Sequence, residues 1–163
     1  LKGIPEIEVK GNIWSGNEMG DVGITEINKM NDVKKITTIS MEGGYFSTPT
    51  HMGLEYSGLM LKKMKGEKKL LILITDGIPN HYKNKTNLQS VHYHKVCKKS
   101  LEKVLQITPN VLFFVVANKD ASYYFNKLFG EKRIIYVNNM NKAFDNVVKQ
   151  FRKFVQRNSM NFF

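Results

Sequence analysis

The segment Lys68–Asn80, KKLLILITDGIPN, constrains this chain more than any other. Five consecutive Leu and Ile residues, Leu70 to Ile74, run into Thr75-Asp76-Gly77, and Pro79 then forbids further regular structure. A continuous aliphatic run of this length, ended by turn residues, reads as a parallel strand buried on both faces. Gly77 lets the backbone turn sharply just after a single carboxylate, Asp76. Ligands of open α/β sheets bind outside the carboxyl ends of the strands. The segment therefore predicts a central strand that aims an acid at the site-forming edge. The bland counterpart is that Asp76 only caps a turn, since Asp-Gly is a common turn pair.

The rest of the chain supplies partners for such a strand. At 163 residues, with 42% hydrophobic residues, there is enough chain for one domain with a sizeable core. No apolar run approaches the roughly 20 residues of a membrane span. No charged-then-apolar leader is seen, and the opening at Leu1 reads as an N-terminally incomplete chain. A single cysteine, Cys97, rules out an internal disulfide and agrees with a reducing, cytoplasmic setting.

Read in order, Glu6–Trp14 alternates, with Ile7, Val9, Gly11 and Ile13 on one face, and predicts a strand with one wet face. Residues 15–34 read as a loop with a short helix near Thr25–Met30, and Ile36–Ile39 as a short strand. Ser47-Thr48-Pro49-Thr50 signals the N-cap of a helix running to Met64. Its inner stripe is Gly53, Ser57, Met60 and Met64, small enough to lie close to a sheet. After the central strand come a polar loop, His81–Thr86, and a long helix, Asn87–Gln106, with Val91, Val96, Leu101, Val104 and Leu105 inward. Val111–Ala117 reads as a second buried strand. Asp120 opens a short helix that ends at Gly130, a C-cap signal. A strand at Ile134–Val137 and an amphipathic helix, Asn141–Arg157, complete the pattern. Strands alternating with helices predict an α/β fold with a mostly parallel, doubly wound sheet.

Two loops are expected to meet at the carboxyl edge of that sheet. One carries Thr48 and Thr50, with Ser47 beside them; the other carries Asp76 and Gly77. Carboxylate and hydroxyl oxygens suit a hard divalent cation such as Mg²⁺ or Mn²⁺. Together, STPTHMGL and LLILITDGIPN resemble the second and third metal-site segments of a von Willebrand factor A (VWA) domain. On that resemblance Thr48 matches the metal-linked Thr, Gly53-Leu54 the small-Leu pair, and Asp76 the distal Asp. The TDGxP form is most similar to the VWA domains of cobaltochelatase accessory subunits and nitric-oxide-reductase activation proteins. The resemblance implies a VWA/Rossmann-like fold and a non-enzymatic protein-interaction domain with a divalent-cation-dependent adhesion-type site. It also implies a MoxR-type AAA+ ATPase as partner, in remodelling or metal insertion. One departure is serious: the family's opening strand ends in DxSxS, and no DxSxS occurs here. Either the first strand-helix unit is missing from this chain, or the chain is a divergent relative that has lost the site.

Other chemistries find less support. Formal net charge is +11, from 25 basic and 14 acidic residues, so a basic nucleic-acid-associated protein of phage or mobile-element type is the rival reading. Its first contacts would be Lys62, Lys63, Lys65, Lys68 and Lys69. The lysines are scattered rather than gathered in one tract, which agrees equally with plain solvated faces. His94 and Cys97 are i, i+3 and could share a zinc ion, but His92 points elsewhere on a helix and no second cluster completes four ligands. Phosphate-cradling glycine motifs are absent. Tyr123, Tyr124, Phe125 and Phe129 fall at helical spacing and read as core rather than as a base-stacking platform.

Overall fold

A computed structural model describes residues 8–17, 21–27, 47–75, 79–80, 82–83, 86–87, 91–116, 122–137, 145–150, 152–153 and 156; of 82–83, 86–87 and 91–92 it describes the backbone alone. The expected strand Ile36–Ile39 lies outside these residues, as do Phe144, Phe151, Phe154 and Val155 of the last helix. The chain forms a mixed α/β structure that gathers into two compact units. One comprises Leu1–Lys69 with Pro79–Ile107, the other Leu70–Ile78 with Thr108–Phe163.

The first unit begins with an antiparallel hairpin, β1 (Gly11–Gly16) and β2 (Val22–Ile27), in which Trp14 opposes Ile24. Within the loop and short helix expected across residues 15–34, residues 22–27 are corrected: Val22, Ile24, Thr25 and Ile27 are β-branched and form a strand instead, while 18–20 and 28–34 lie outside the described residues. The facing of β1 is also corrected. Asn12 and Trp14, not the Val9 and Ile13 set, face the following helix, and Val9 is 75% exposed outside the strand. The indole of Trp14 outweighs smaller apolar groups in deciding which face turns inward.

That helix, α1 (Thr50–Lys63), matches the expected span and buries Gly53, Leu54, Ser57, Met60 and Leu61. Gly53 is what lets the strand approach: a Cβ there would lie 2.5 Å from Cδ2 of Trp14. Asn12 Nδ2 donates to Ser57 Oγ (3.2 Å) and to Met60 Sδ (3.3 Å), closing the same seam. The expected side-chain N-cap is not made. Pro49 occupies the cap position and makes no side-chain cap hydrogen bond. Lys62 and Lys63 do sit in the last turn, where they complement the helix dipole.

The polar loop beyond Pro79 contains a two-residue antiparallel ladder, β4 (Tyr82–Lys83) with β5 (Thr86–Asn87). Helix α2 (Val91–Leu105) then packs on α1. Contacts climb both helices in the same order, so the two run parallel. His51 meets Tyr93, Glu55 meets Ser100 and Lys103, and Gly58 meets Val104 and Ile107. The buried stripe of α2 is Tyr93, Cys97, Ser100, Leu101 and Val104. Val96, expected inward, is only half-buried, because the stripe is centred on the Tyr93–Cys97–Val104 line one residue away.

The second unit is a parallel sheet of three strands in the order β3 (Leu71–Thr75), β6 (Val111–Val115), β7 (Ile134–Tyr136). The ladder is in step from Leu71 opposite Val111 to Thr75 opposite Val115, then Phe113 opposite Ile134. β6, not β3, is central in this sheet. Ile74 is 54% exposed, which corrects the expectation that the aliphatic run is buried on both faces. Adjacent residues of β6 point to opposite faces. Phe113 stacks on Phe129 of α3 (Ser122–Phe129) with ring centroids 3.9 Å apart, while Phe114 clusters with Val137 and with Val147 of α4 (residues 145–150). Helices therefore cover the sheet on both sides, as the alternation of elements predicts. Gly130 ends α3 with φ of 80° and its N–H on the Asn126 carbonyl (3.0 Å), the expected C-cap. The four aromatic residues of α3 divide: Phe125 and Phe129 are core, Tyr123 and Tyr124 exposed. No helix among the described residues is long and apolar enough to cross a membrane.

The two helical glycines separate close approach from mere helix propensity. Gly53→Ala should lower stability to urea by about 1–3 kcal/mol, since overpacking against the indole outweighs the roughly 1 kcal/mol that Ala gains in a helix. Gly58→Ala, whose Cβ would lie 3.4 Å from Val104 Cγ2, should be neutral or stabilising. Equal effects at the two positions would contradict the packing described.

Candidate functional site

The Thr48 loop is assembled within the first unit by three separate segments. Ser47 forms an isolated antiparallel bridge with Gly16, N–H to carbonyl in both directions at 3.2 Å. A Cβ at Gly16 would meet Ser47 Oγ and force that hydroxyl to turn away. Pro49 follows Thr48 and restricts it to extended backbone. Thr50 then opens α1 and is fully buried.

The Thr48 peptide is the focus of this loop. Its carbonyl oxygen accepts from Thr50 N–H (2.7 Å), Thr50 Oγ1 (3.2 Å), Asn80 N–H (3.1 Å) and the Tyr93 hydroxyl (3.5 Å). Its own N–H donates to Asn80 Oδ1 at 2.6 Å. Asn80 thus bonds both the backbone N–H and the backbone carbonyl of one residue, Thr48, and it stands four residues after Asp76 in the chain. The Thr48 hydroxyl takes no part in these bonds.

Behind the loop, Tyr93 is buried against His51 and Cys97. Tyr93 Oη lies 3.1 Å from His51 Nδ1, and the two rings meet edge to face with centroids 5.3 Å apart. With the His51 proton on Nδ1, the imidazole donates to Tyr93 and the phenolic proton is left for Thr48 O. Burial pushes the Cys97 thiol up to about 11, outweighing the hydrogen bond with Tyr93, which lowers it. Burial is also the main cause that raises Tyr93, followed by the charge and hydrogen bond of Cys97. Both groups are neutral at ordinary pH and act as packing and hydrogen-bonding elements. Cys97 is fully buried, so its thiol is turned into the helix pair.

Of the residues that the sequence singles out, Ser47, Thr48 and Thr50 stand together in this loop; Asp76 and Gly77 lie outside the described residues. Ser47 Oγ is buried with no hydrogen-bond partner, whereas Thr50 Oγ1 is committed to Thr48 O. A carbonyl has two lone pairs, so Thr48 O, with its gathered donors, is spent as a ligand. The oxygens left are the hydroxyls of Thr48 and Ser47, whose chemistry fits a hard cation and whose number falls short of an octahedron. The lysines named for a nucleic-acid surface sit at the end of α1 and in the link after it. Lys62, Lys63, Lys65 and Lys68 are exposed, and Lys69 is half-buried.

Reading residues alone passes over Asn80, Tyr93 and His51. Asn80 carries no local signal, because its side chain bonds Thr48 across 32 residues of sequence. Tyr93 and His51 carry none either, because their meeting depends on the parallel packing of α1 on α2. Compared with protein-family models, curated proteins and solved structures, the chain matches none.

The buried thiol sets an alkaline limit on stability. A group whose folded pKa is raised stabilises fully below its unfolded pKa and loses that contribution as pH rises through the folded value. For Cys97 the window runs from 9.0 to about 11. Across it, unfolding free energy should fall by about 2 kcal/mol, with Tyr93 adding to the decline above about 10. Urea titrations of wild type and Cys97→Ala at pH 8, 9 and 10 check this: the variant should show the shallower decline.

Proposed function

We propose that this chain is a VWA-type protein-interaction domain whose cation site uses the Thr48 hydroxyl and the Asp76 carboxylate. A partner's acidic side chain would complete the shell of a bound Mg²⁺ or Mn²⁺, and the partner would be a MoxR-type AAA+ ATPase engaged in remodelling or metal insertion. The domain binds rather than catalyses and works in the cytoplasm. One observation supports the reading: the paired hydrogen bonds of Asn80 join the Thr48 loop to Pro79-Asn80, the segment that follows Thr75-Asp76-Gly77 in the sequence. These are the two stretches on which the sequence resemblance rests. The parallel β3-β6-β7 sheet with helices on both faces adds support, since it is the architecture that the resemblance implies. The ATPase role rests on the resemblance alone, and a shared fold cannot fix a function.

Exposed lysines at the end of α1 and a net charge of +11 favour a second reading, a nucleic-acid surface at Lys62, Lys63, Lys65, Lys68 and Lys69. The readings separate cleanly. Mn²⁺ titration by calorimetry should give saturable binding that is abolished by Asp76→Ala and weakened at least about tenfold by Thr48→Val. Absence of Mn²⁺ and Mg²⁺ binding, together with oligonucleotide binding that falls steeply with salt, would replace the first reading by the second.

A further inference from the structure

We infer that the exposed face of α3 is a contact for single-stranded nucleic acid, with Tyr123 and Tyr124 as stacking rings and Lys127, Lys132 and Arg133 as phosphate partners. The face lies within the second unit. It depends neither on the cation-site reading nor on the lysines at the end of α1.

The helix divides its rings by face. Phe125 and Phe129 are buried, with Phe129 stacked on Phe113 of the sheet, and these two seat the helix. Tyr123 is 66% exposed and Tyr124 43% exposed. Their rings meet edge to face, with centroids 5.9 Å apart and planes at 79°. Lys127, one turn on from Tyr123, holds its ammonium 5.7 Å from the centre of the Tyr123 ring, so a cation and an aromatic face are presented side by side. Arg133 folds back to the end of the helix, where its Nη1 lies 3.4 Å from the place a Cβ on Gly130 would take. Lys132 beside it is exposed. From Ser122 to Val137 the charged residues are Lys127, Lys132 and Arg133 against the single acid Glu131.

Exposed rings interleaved with cations match one kind of partner. Every base has a flat face that can lie on an aromatic ring whatever the base is, and the phosphates between bases take the cations. A duplex keeps its base faces covered by its own stacking, which leaves single strands. An acidic peptide would satisfy the cations and leave the rings unused. A second copy of this chain would set Lys127, Lys132 and Arg133 against their own kind.

The experiment is fluorescence anisotropy with a labelled oligothymidylate of about ten nucleotides, beside an abasic strand of the same length and charge. Wild type should bind the thymidylate at least about tenfold more tightly than the abasic strand. Tyr123→Ala should weaken thymidylate binding by about tenfold and leave abasic binding unchanged, whereas Tyr123→Phe, which keeps the ring, should stay within about twofold. Lys127→Gln should weaken both strands and flatten the dependence of log K on log salt by about 0.7. Urea curves of the variants should overlay that of wild type, since these side chains are exposed; if Tyr123→Ala does not fold, Tyr124→Ala carries the same expectation. Equal binding of the two strands would mean charge alone and overturns the inference. So does a loss confined to Lys62→Gln/Lys63→Gln with Tyr123→Ala unaffected, which would place the strand on the α1 lysines instead. Absence of thymidylate binding also overturns it, and self-association in sedimentation that Tyr123→Ala abolishes would then assign the face to a second copy.

Discussion

One carbonyl oxygen, that of Thr48, holds the first unit's loop in register. Donors from the start of α1, from the Pro79-Asn80 segment and from α2 converge on it. Each neutral hydrogen bond is worth only about 1 kcal/mol net. Their effect is geometric: chain segments remote in sequence agree on the position of a single peptide group. The cost of that convergence is that the carbonyl has no capacity left for a ligand. Whatever this loop binds, it binds through side chains.

Two glycines and two phenylalanines make the framework around it. Gly16 and Gly53 are absences of a Cβ where another group must come close, Ser47 Oγ in one case and the Trp14 indole in the other. They bring the hairpin close to α1 and to Ser47, the residue before Thr48. In the second unit, Phe113 and Phe114 are consecutive, and a strand sends consecutive side chains to opposite faces. One fills the α3 side and the other the α4 side. A buried Phe replaced by Ala costs about 3–5 kcal/mol in proteins generally, so this pair carries much of the unit's cohesion.

The elements with strong period were legible in the residues: α1, α2, β6 and the Gly130 cap of α3 stand where the pattern put them, within a few residues. What failed did so for identifiable reasons. The wet and dry faces of β1 were inverted because counting Ile and Val gives no weight to how much one Trp buries. The β2 strand was hidden in a glycine-bearing stretch that looked like loop. β3 was read as doubly buried, yet Ile74 is exposed at the end of the strand order, since apolar content does not tell a central strand from an edge one. At the candidate site, that Ser47, Thr48 and Thr50 share one loop before α1 follows from their places in the sequence. Asn80 and Tyr93 were not legible there, because their part lies in contacts across more than 30 residues of sequence. Asp76, the residue first singled out, lies outside the described residues.

Thr48 and Asp76 are proposed to serve one cation. The most direct test is a backbone-amide NMR titration of the isotope-labelled chain with Mg²⁺. The account predicts saturable shift changes at Thr48, Gly77 and Asn80, lost on adding chelator, with α3 from Ser122 to Phe129 unmoved. Spectra in which these amides stay fixed while Mg²⁺ saturates, or in which only exposed acidic residues respond, would contradict it.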